Sequence, residues 1–252
     1  METDESWHWS QDELTGGSGR VGPLRAVLVT LASLRRRGIL TTARLVLRYV
    51  PELLFDLRYG VRTLGREGVH DLDTAGDSAG YPYLGSNGRD LRRALKAFGN
   101  SGQGTFVDLG CGKGRALVIA ALHGYGKVVG IDFVEEFCAA AESNFAAFRA
   151  RTGSACVAEV RHQDATTFHP APDESTFYFF NPFPAEVMAA VVDNIYDSWV
   201  ADPRDVRVIY SCALHPEVFE DSARWRRAGE SKAAYPTYCY VPVSAGPGPA
   251  TG

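Results

Sequence analysis

The chain has 252 residues, 45% of them hydrophobic, which is enough apolar material for one α/β core with further segments around it. Its formal charge of −4 excludes a protein that grips nucleic acid through an overall basic surface, so charged partners have to be argued from local clusters. Five cysteines, Cys111, Cys138, Cys156, Cys212 and Cys239, lack any C-x-x-C pair or zinc-type His spacing, no basic segment leads into an apolar run near Met1, and no apolar stretch approaches the roughly 20 residues of a spanning helix; a reduced, cytoplasmic protein without a metal site or transmembrane segment is expected.

Residues 1–22 read as a flexible tail, with Trp7 and Trp9 in a polar setting ahead of Gly16-Gly17-Ser18-Gly19. Residues 23–103 read as a helical cap followed by a substrate or cofactor loop. Pro23 suits a helix start, and Leu24, Val27, Leu28, Leu31 and Leu34 mark one helical face. A second helix is expected over 41–48 and a third from Pro51 to about Tyr59, with Leu45, Val46, Tyr49, Leu53, Leu54 and Leu57 available for burial. Residues 20–66 carry ten arginines against Glu52 and Asp56, a local charge of +8, so the remainder carries −12. Three readings of this cluster stand: a solvated face whose stems cover apolar surface, a surface steering an anionic small molecule or acidic peptide, and a peripheral contact with an anionic membrane. The cap also offers a surface to a protein partner. Glycines interrupt 60–90, where Gly60-Val61-Arg62-Thr63 and the stiff Tyr81-Pro82-Tyr83 stand out. Asp90–Phe98 then forms an amphipathic helix through Leu91, Ala94, Leu95 and Phe98.

Residues 104–245 read as one domain, and the proline and glycine of 246–252 as a disordered tail. Phe106-Val107-Asp108-Leu109 is an apolar strand that enters the turn Gly110-Cys111-Gly112-Lys113-Gly114, and Arg115–Leu122 continues as helix. Such a turn is expected to present free backbone N–H groups to a ligand. The spacing G-x-G-x-G differs from the dinucleotide G-x-G-x-x-G, and no G-x-x-x-x-G-K-[ST] occurs. Asp108, ahead of the first glycine, would repel a pyrophosphate and accept from an ammonium.

Strands and helices then alternate, which implies a parallel sheet. Lys127–Ile131 ends at Asp132, helix 134–151 follows, Ala155–Arg161 ends at Gln163-Asp164-Ala165, and 176–180 ends at Asn181-Pro182-Phe183-Pro184. A helix over 185–199, a strand over 207–212 and two strand-like pieces, 223–232 and 237–243, complete the run. Polar residues thus fall at four strand ends, where ligands of open α/β sheets lie. Asp132, 18 residues beyond Gly114, is near the spacing at which a carboxylate reaches a ribose.

The glycine turn with Asp108, the acids at Asp132 and Asp164, and the Asn-Pro-aromatic element together resemble the class I S-adenosylmethionine-dependent methyltransferases over residues 104–243. The resemblance implies a Rossmann-like, doubly wound, seven-stranded mostly parallel sheet with an antiparallel C-terminal strand, to which the N-terminal helical cap is added. It implies S-adenosyl-L-methionine as cofactor, held by Asp108, Gly110, Cys111, Gly112, Lys113, Gly114, Asp132, Phe133, Asp164, Ala165, Asn181, Pro182 and Phe183. In that scheme Asp132 meets the ribose, Phe133 covers an adenine face, and Asp164 with the Ala165 N–H reads the adenine edge. Asn181-Pro182-Phe183-Pro184 is similar to the Asn-Pro-Pro-aromatic element of amino-group methyltransferases, with the aromatic one place forward, so nitrogen and oxygen both stay open as acceptor. Gly60-x-x-Thr63 followed by Tyr81 is similar to the layout of a bacterial subset of the family.

The candidate catalytic residues are Asn181, Tyr81 and His215, with Tyr238 as a further group that could orient an acceptor; His123, His162 and His169 have no companions and no assigned role. The implied activity is methyl transfer to N or O of a natural-product-type small molecule or a peptide or protein, with nucleic acid ranked below these. Two alternatives remain: a non-methylating reaction on the same cofactor (cyclisation, elimination or hydrolysis), and a non-catalytic cofactor-binding partner.

Overall fold

The computed structural model describes residues 35, 38–39, 50–64, 66–67, 83–84, 87–102, 104–180, 182–231 and 235–244. The expected tails, the helices over 23–34 and 41–48, Tyr81 and Asn181 lie outside the described residues. Seven strands, β1 (Thr105–Leu109), β2 (Lys127–Asp132), β3 (Val157–His162), β4 (Glu174–Phe180), β5 (Arg207–Ser211), β6 (Trp225–Ser231) and β7 (Thr237–Pro242), form one sheet in the order β3-β2-β1-β4-β5-β7-β6. Strands β1 to β5 pair in parallel, whereas β7 is antiparallel to both β5 and β6. This is the Rossmann-like, doubly wound sheet with the expected antiparallel C-terminal pairing. Arg66–Glu67 and Tyr83–Leu84 form a separate two-stranded antiparallel ribbon.

Alternation along the strands divides the core between the two faces. Val107 and Leu109 of β1, Phe177 and Phe179 of β4 and Val208 and Tyr210 of β5 pack beneath helix α5 (Ala185–Ala201), on Met188, Val191 and Ile195. The intervening Phe106, Tyr178 and Ile209 face α2 (Gly88–Phe98), α3 (Arg115–His123) and α4 (Glu135–Thr152), meeting Leu91, Ala94, Leu95, Leu117, Phe145 and Phe148. Each large apolar side chain fully withdrawn from water contributes about 1.5–3 kcal/mol, so the central strands β1 and β4, apolar on both faces, anchor the sheet. The short α6 (Glu217–Glu220) follows β5 and adds Phe219, which stacks on Tyr240 of β7 with ring centres 4.2 Å apart.

Helix α1 spans 50–59, within a residue of expectation, but its buried side differs from the expected one. Leu54 and Leu57 are 58% and 62% exposed, while Phe55 and Asp56 are buried. The reason is electrostatic: Asp56 and Glu52 meet the side chain of Arg115, only 3% exposed, and a buried guanidinium left without a carboxylate would cost several kcal/mol. Orienting α1 toward that cation outweighs burying two leucines.

Candidate functional site

Strands β1 and β2 finish side by side, Asp108 in register with Gly130 and Leu109 with Ile131. The chain leaving β1 turns back at once. Gly110, Gly112 and Gly114 take φ of 81°, 49° and 76°, a region that residues with a Cβ rarely adopt. At Gly110 space adds to the demand, since a Cβ would lie 2.5 Å from Cβ of Pro182, so the loop after β1 runs close against the loop after β4. On the other side, a Cβ on Gly130 would meet Sγ of Cys111 at 2.8 Å.

Four of the five N–H groups of the turn Gly110–Gly114, expected to be free for a ligand, are already engaged. Those of Gly110 and Cys111 donate to the Ile131 carbonyl at 2.8 and 3.0 Å, that of Gly114 donates to the Cys111 carbonyl at 2.9 Å, and that of Gly112 donates to Asp132 Oδ2 at 2.8 Å. A buried turn pressed against its neighbouring strand has to satisfy its donors internally. The ligand-directed chemistry therefore passes to the carboxylates beside the turn.

Asp132 accepts from Gly112 on one oxygen and from the Val134 N–H on the other at 3.0 Å. Two carboxylate oxygens offer about four acceptor directions, so both atoms keep capacity for further donors. Burial raises the Asp132 carboxyl above its ordinary range, opposed by the N–H groups of Gly112, Val134 and Phe133 and by nearby His162. Asp108, 4% exposed, is pushed up further, by burial first and then by the charge of Asp132. Two desolvated acids at adjacent strand ends make a site that gains from a cation. The same surroundings, burial first and then both acids, raise the Cys111 thiol well above its usual value, which keeps it protonated and unreactive at neutral pH.

The remaining expected residues are distributed as follows. Lys113 is half-buried, and its carbonyl accepts from Asn144 Nδ2 at 2.9 Å. Phe133 is half-buried, its carbonyl 2.9 Å from His162 Nε2. Asp164 is exposed and caps a 3-10 turn at Ala165–Thr167, its Oδ1 accepting from the N–H and Oγ1 of Thr166, both at 2.8 Å. That is the work of a short polar residue at a turn start, and Ala165 behind it is buried. Phe183, expected to present its ring to ligand, lies 6% exposed in the cluster with Met188 and Val191; the aromatic displaced by one position fills core beneath α5. His215 follows β5, its N–H donating to Tyr210 Oη at 3.2 Å and its Nδ1 3.2 Å from Glu217 Oε1. Tyr238 lies under the Arg227 guanidinium, 4.0 Å from the ring centre.

A further cluster borders the turn. Arg115, the residue after Gly114, donates to Asp56 Oδ1 at 2.8 Å, pairs with Glu52 and lies 4.5 Å over the Phe55 ring. The Asp56 carboxylate also accepts from Thr63 N and Oγ1, both at 2.7 Å, and from Leu64 N at 3.0 Å. Asn144 of α4 accepts from Arg62 N at 2.8 Å and donates to the carbonyls of Arg62 and Lys113 at 3.2 and 2.9 Å. The signal for this cluster was in the composition: Glu52 and Asp56 are the two acids among the ten arginines of residues 20–66, and they stand one helical turn apart.

Among the described residues no group of three or more His, Cys, Asp or Glu side chains could hold a metal ion, and no helix is long and apolar enough to cross a membrane.

Residues 106–198 match the family model described as a methyltransferase domain. Among solved structures the chain is similar to magnesium protoporphyrin IX methyltransferase from Synechocystis PCC 6803 with bound S-adenosylmethionine, at 18% identity over 61% of this chain and 76% of that one, with a TM-score of 0.46. It is similar also to an S-adenosylmethionine-dependent O-methyltransferase from Thermotoga maritima, at 14% identity over 62% and 65% and a TM-score of 0.47. A third is the ribosomal protein L11 methylase from Lactobacillus delbrueckii subsp. bulgaricus, at 18% identity over 60% and 77% and a TM-score of 0.44. No curated protein sequence matches the chain significantly.

Proposed function

We propose that this chain, which carries a methyltransferase-family domain over residues 106–198, is an S-adenosylmethionine-dependent methyltransferase acting on a nitrogen or oxygen of a small molecule or peptide. The observation that carries the reading is the pair of buried carboxylates, Asp108 and Asp132, on either side of a glycine turn at adjacent strand ends. A site of that charge disfavours a pyrophosphate and favours a ligand bearing an ammonium and a sulfonium. The glycine turn fits as well, because its close backbone approach to Pro182 brings the loops after β1 and β4 together.

Bound there, S-adenosylmethionine would supply a methyl group already activated on a cationic sulfur. The protein's part is to bind and to orient. Asp108 is assigned the ammonium end and Asp132 the ribose hydroxyls, which its remaining acceptor directions suit. On the acceptor side His215 is assigned the removal of a proton where the acceptor carries one: the Glu217 carboxylate against Nδ1 favours the tautomer that leaves Nε2 basic. Asn181 and Tyr81 are assigned the orientation of the acceptor.

Titration calorimetry tests the cofactor. S-adenosylhomocysteine is expected to bind and NAD not to, and lack of affinity for both S-adenosylmethionine and S-adenosylhomocysteine would sink the reading. Transfer is tested with methyl-labelled cofactor and panels of amine, phenol and peptide acceptors, label in any acceptor class being the expected result.

A further inference from the structure

We infer that residues 52–64 form a strap that holds the glycine turn in its binding shape, with Asp56, Thr63, Arg115 and Asn144 as positioning residues; the inference rests on the cofactor reading above. The strap comprises α1 from Glu52 onward and the segment 60–64. It is fastened at two points, one on each side of Gly114. On the helix side, Arg115 is fixed by Glu52 and Asp56, and the Asp56 carboxylate gathers four donors: Arg115, Thr63 N, Thr63 Oγ1 and Leu64 N. On the turn side, the Asn144 amide bridges the Arg62 backbone and the Lys113 carbonyl. Lys113 and Arg115 flank Gly114, whose own backbone is at φ 76° and whose added Cβ would stand 3.0 Å from Cβ of Ala141 in α4.

The physical case is one of preorganisation. A glycine-rich turn has more conformations to lose on ordering than any other segment, and the ligand meets that cost unless the protein has already met it. The turn's internal bonds to Ile131 and Asp132 fix its start, at Gly110 to Gly112. The strap fixes its end. Every one of these partners is buried or nearly so: Asp56 is 7% exposed, Thr63 0%, Arg115 2% and Asn144 7%. At such positions hydrogen bonds to charged groups are at their strongest. A packing role alone would explain the burial of Phe55 against the domain, but not the convergence of Asp56 and Asn144 on the two residues that bracket Gly114.

The test uses the full chain with two uncharged substitutions at opposite ends of the strap, Thr63→Val and Asn144→Ala, and Thr63→Ser as the conservative control. Substitutions of Asp56 or Arg115 are avoided because they would strand a buried charge. Hydrogen exchange of the 110–115 amides is read without ligand, and S-adenosylhomocysteine affinity is read by calorimetry well below the melting temperature. The expected result is exchange at 110–115 faster by about tenfold in both variants, affinity weaker by about tenfold, and both restored in Thr63→Ser, a tenfold change being about 1.4 kcal/mol. Folded variants with wild-type exchange at 110–115 and wild-type affinity, whatever their melting temperature, would overturn the proposal, and loss of fold in one leaves the other to decide. Should the unaltered protein fail to bind S-adenosylhomocysteine, the cofactor reading falls by itself, and the exchange measurement still decides whether the strap holds the turn.

Discussion

Asp132 holds the turn through Gly112 and the start of α4 through Val134, and is also the carboxylate proposed to receive the ribose hydroxyls, so its substitution should be costly to binding. Replacing it with alanine removes two or more charge-assisted hydrogen bonds. S-adenosylhomocysteine affinity is expected to fall by at least about 10- to 100-fold, the loss that a single such bond of about 1.5–3 kcal/mol accounts for. Calorimetry checks this, and unchanged affinity would remove the ribose assignment. Gly110 tests the turn by shape instead of charge. An alanine there must accept φ 81° and a Cβ 2.5 Å from that of Pro182, so either the turn or the loop after β4 has to move. The expected loss is about 2–4 kcal/mol of stability, together with cofactor affinity. Gly126→Ala is the control: a Cβ there meets nothing within 4 Å, and melting temperature and affinity should both stay near wild type.

At the scale of elements, what was readable in the sequence depended on whether a segment's burial is decided locally. The helix expected over 134–151 and found at 135–152 carries Phe137, Ala141, Phe145 and Phe148 at helical spacing, and the structure buries those residues, because an apolar stripe against a sheet needs no distant partner. Helix α1 offered Leu53, Leu54 and Leu57 in the same way, yet its orientation is set by Arg115, more than fifty residues further on, which periodicity could not reveal. Phe183 and Asp164 meet the same limit, since a motif places a residue in sequence but not the direction of its side chain: Phe183 packs in the core and Asp164 caps the turn at Ala165–Thr167. The arginine at 204 is another element-scale device. Its guanidinium donates to the carbonyls of Glu174, Ser198 and Asp202 and to Ser198 Oγ at 2.9–3.1 Å, and so ties the end of α5 to the start of β4. Arg204→Met is expected to cost about 2–3 kcal/mol, from several bonds lost with the stem retained, or about 4–12 °C in melting temperature at 2–4 °C per kcal/mol. Affinity at room temperature should be unchanged, since Glu174 begins β4 and the site lies at the strand's other end. Arg204→Lys should recover little, because an ammonium lacks the planar fork that reaches several acceptors at once.

For the molecule as a whole, alternating strand and helix signals gave the parallel sheet, and the position of Asp108, Asp132, Asp164 and Asn181 at strand ends in the sequence pointed to the edge proposed to bind. The resemblance implied the seven-stranded, mostly parallel sheet but the strand order β3-β2-β1-β4-β5-β7-β6 is read from the structure, because period and composition carry no record of which strands are neighbours. That order matters energetically, for it sets Asp108 beside the strand that ends in Asp132 and desolvates both. The consequence is a conflict between stability and binding. Burial and the Asp132 charge hold the Asp108 carboxyl well above its ordinary range, so the folded protein binds that proton more tightly than the unfolded chain does. The stabilisation from protonated Asp108 is complete below about pH 4, the ordinary carboxylate range, and is lost as pH rises through the raised folded value. Asp108→Asn mimics the protonated acid at every pH. Its melting temperature should therefore exceed that of wild type near pH 7.5–8, with the gap closing as pH falls toward 4. Binding should run the other way: the ammonium of the ligand favours ionised Asp108, so wild-type affinity for S-adenosylhomocysteine should climb with pH across this window, while Asp108→Asn binds weakly and with a flatter profile. Scanning calorimetry and titration calorimetry at matched pH values read the two trends. Parallel melting curves for the two proteins across the range would show that Asp108 carries no strain in the ligand-free fold, and the charge conflict at the centre of the site would have to be abandoned.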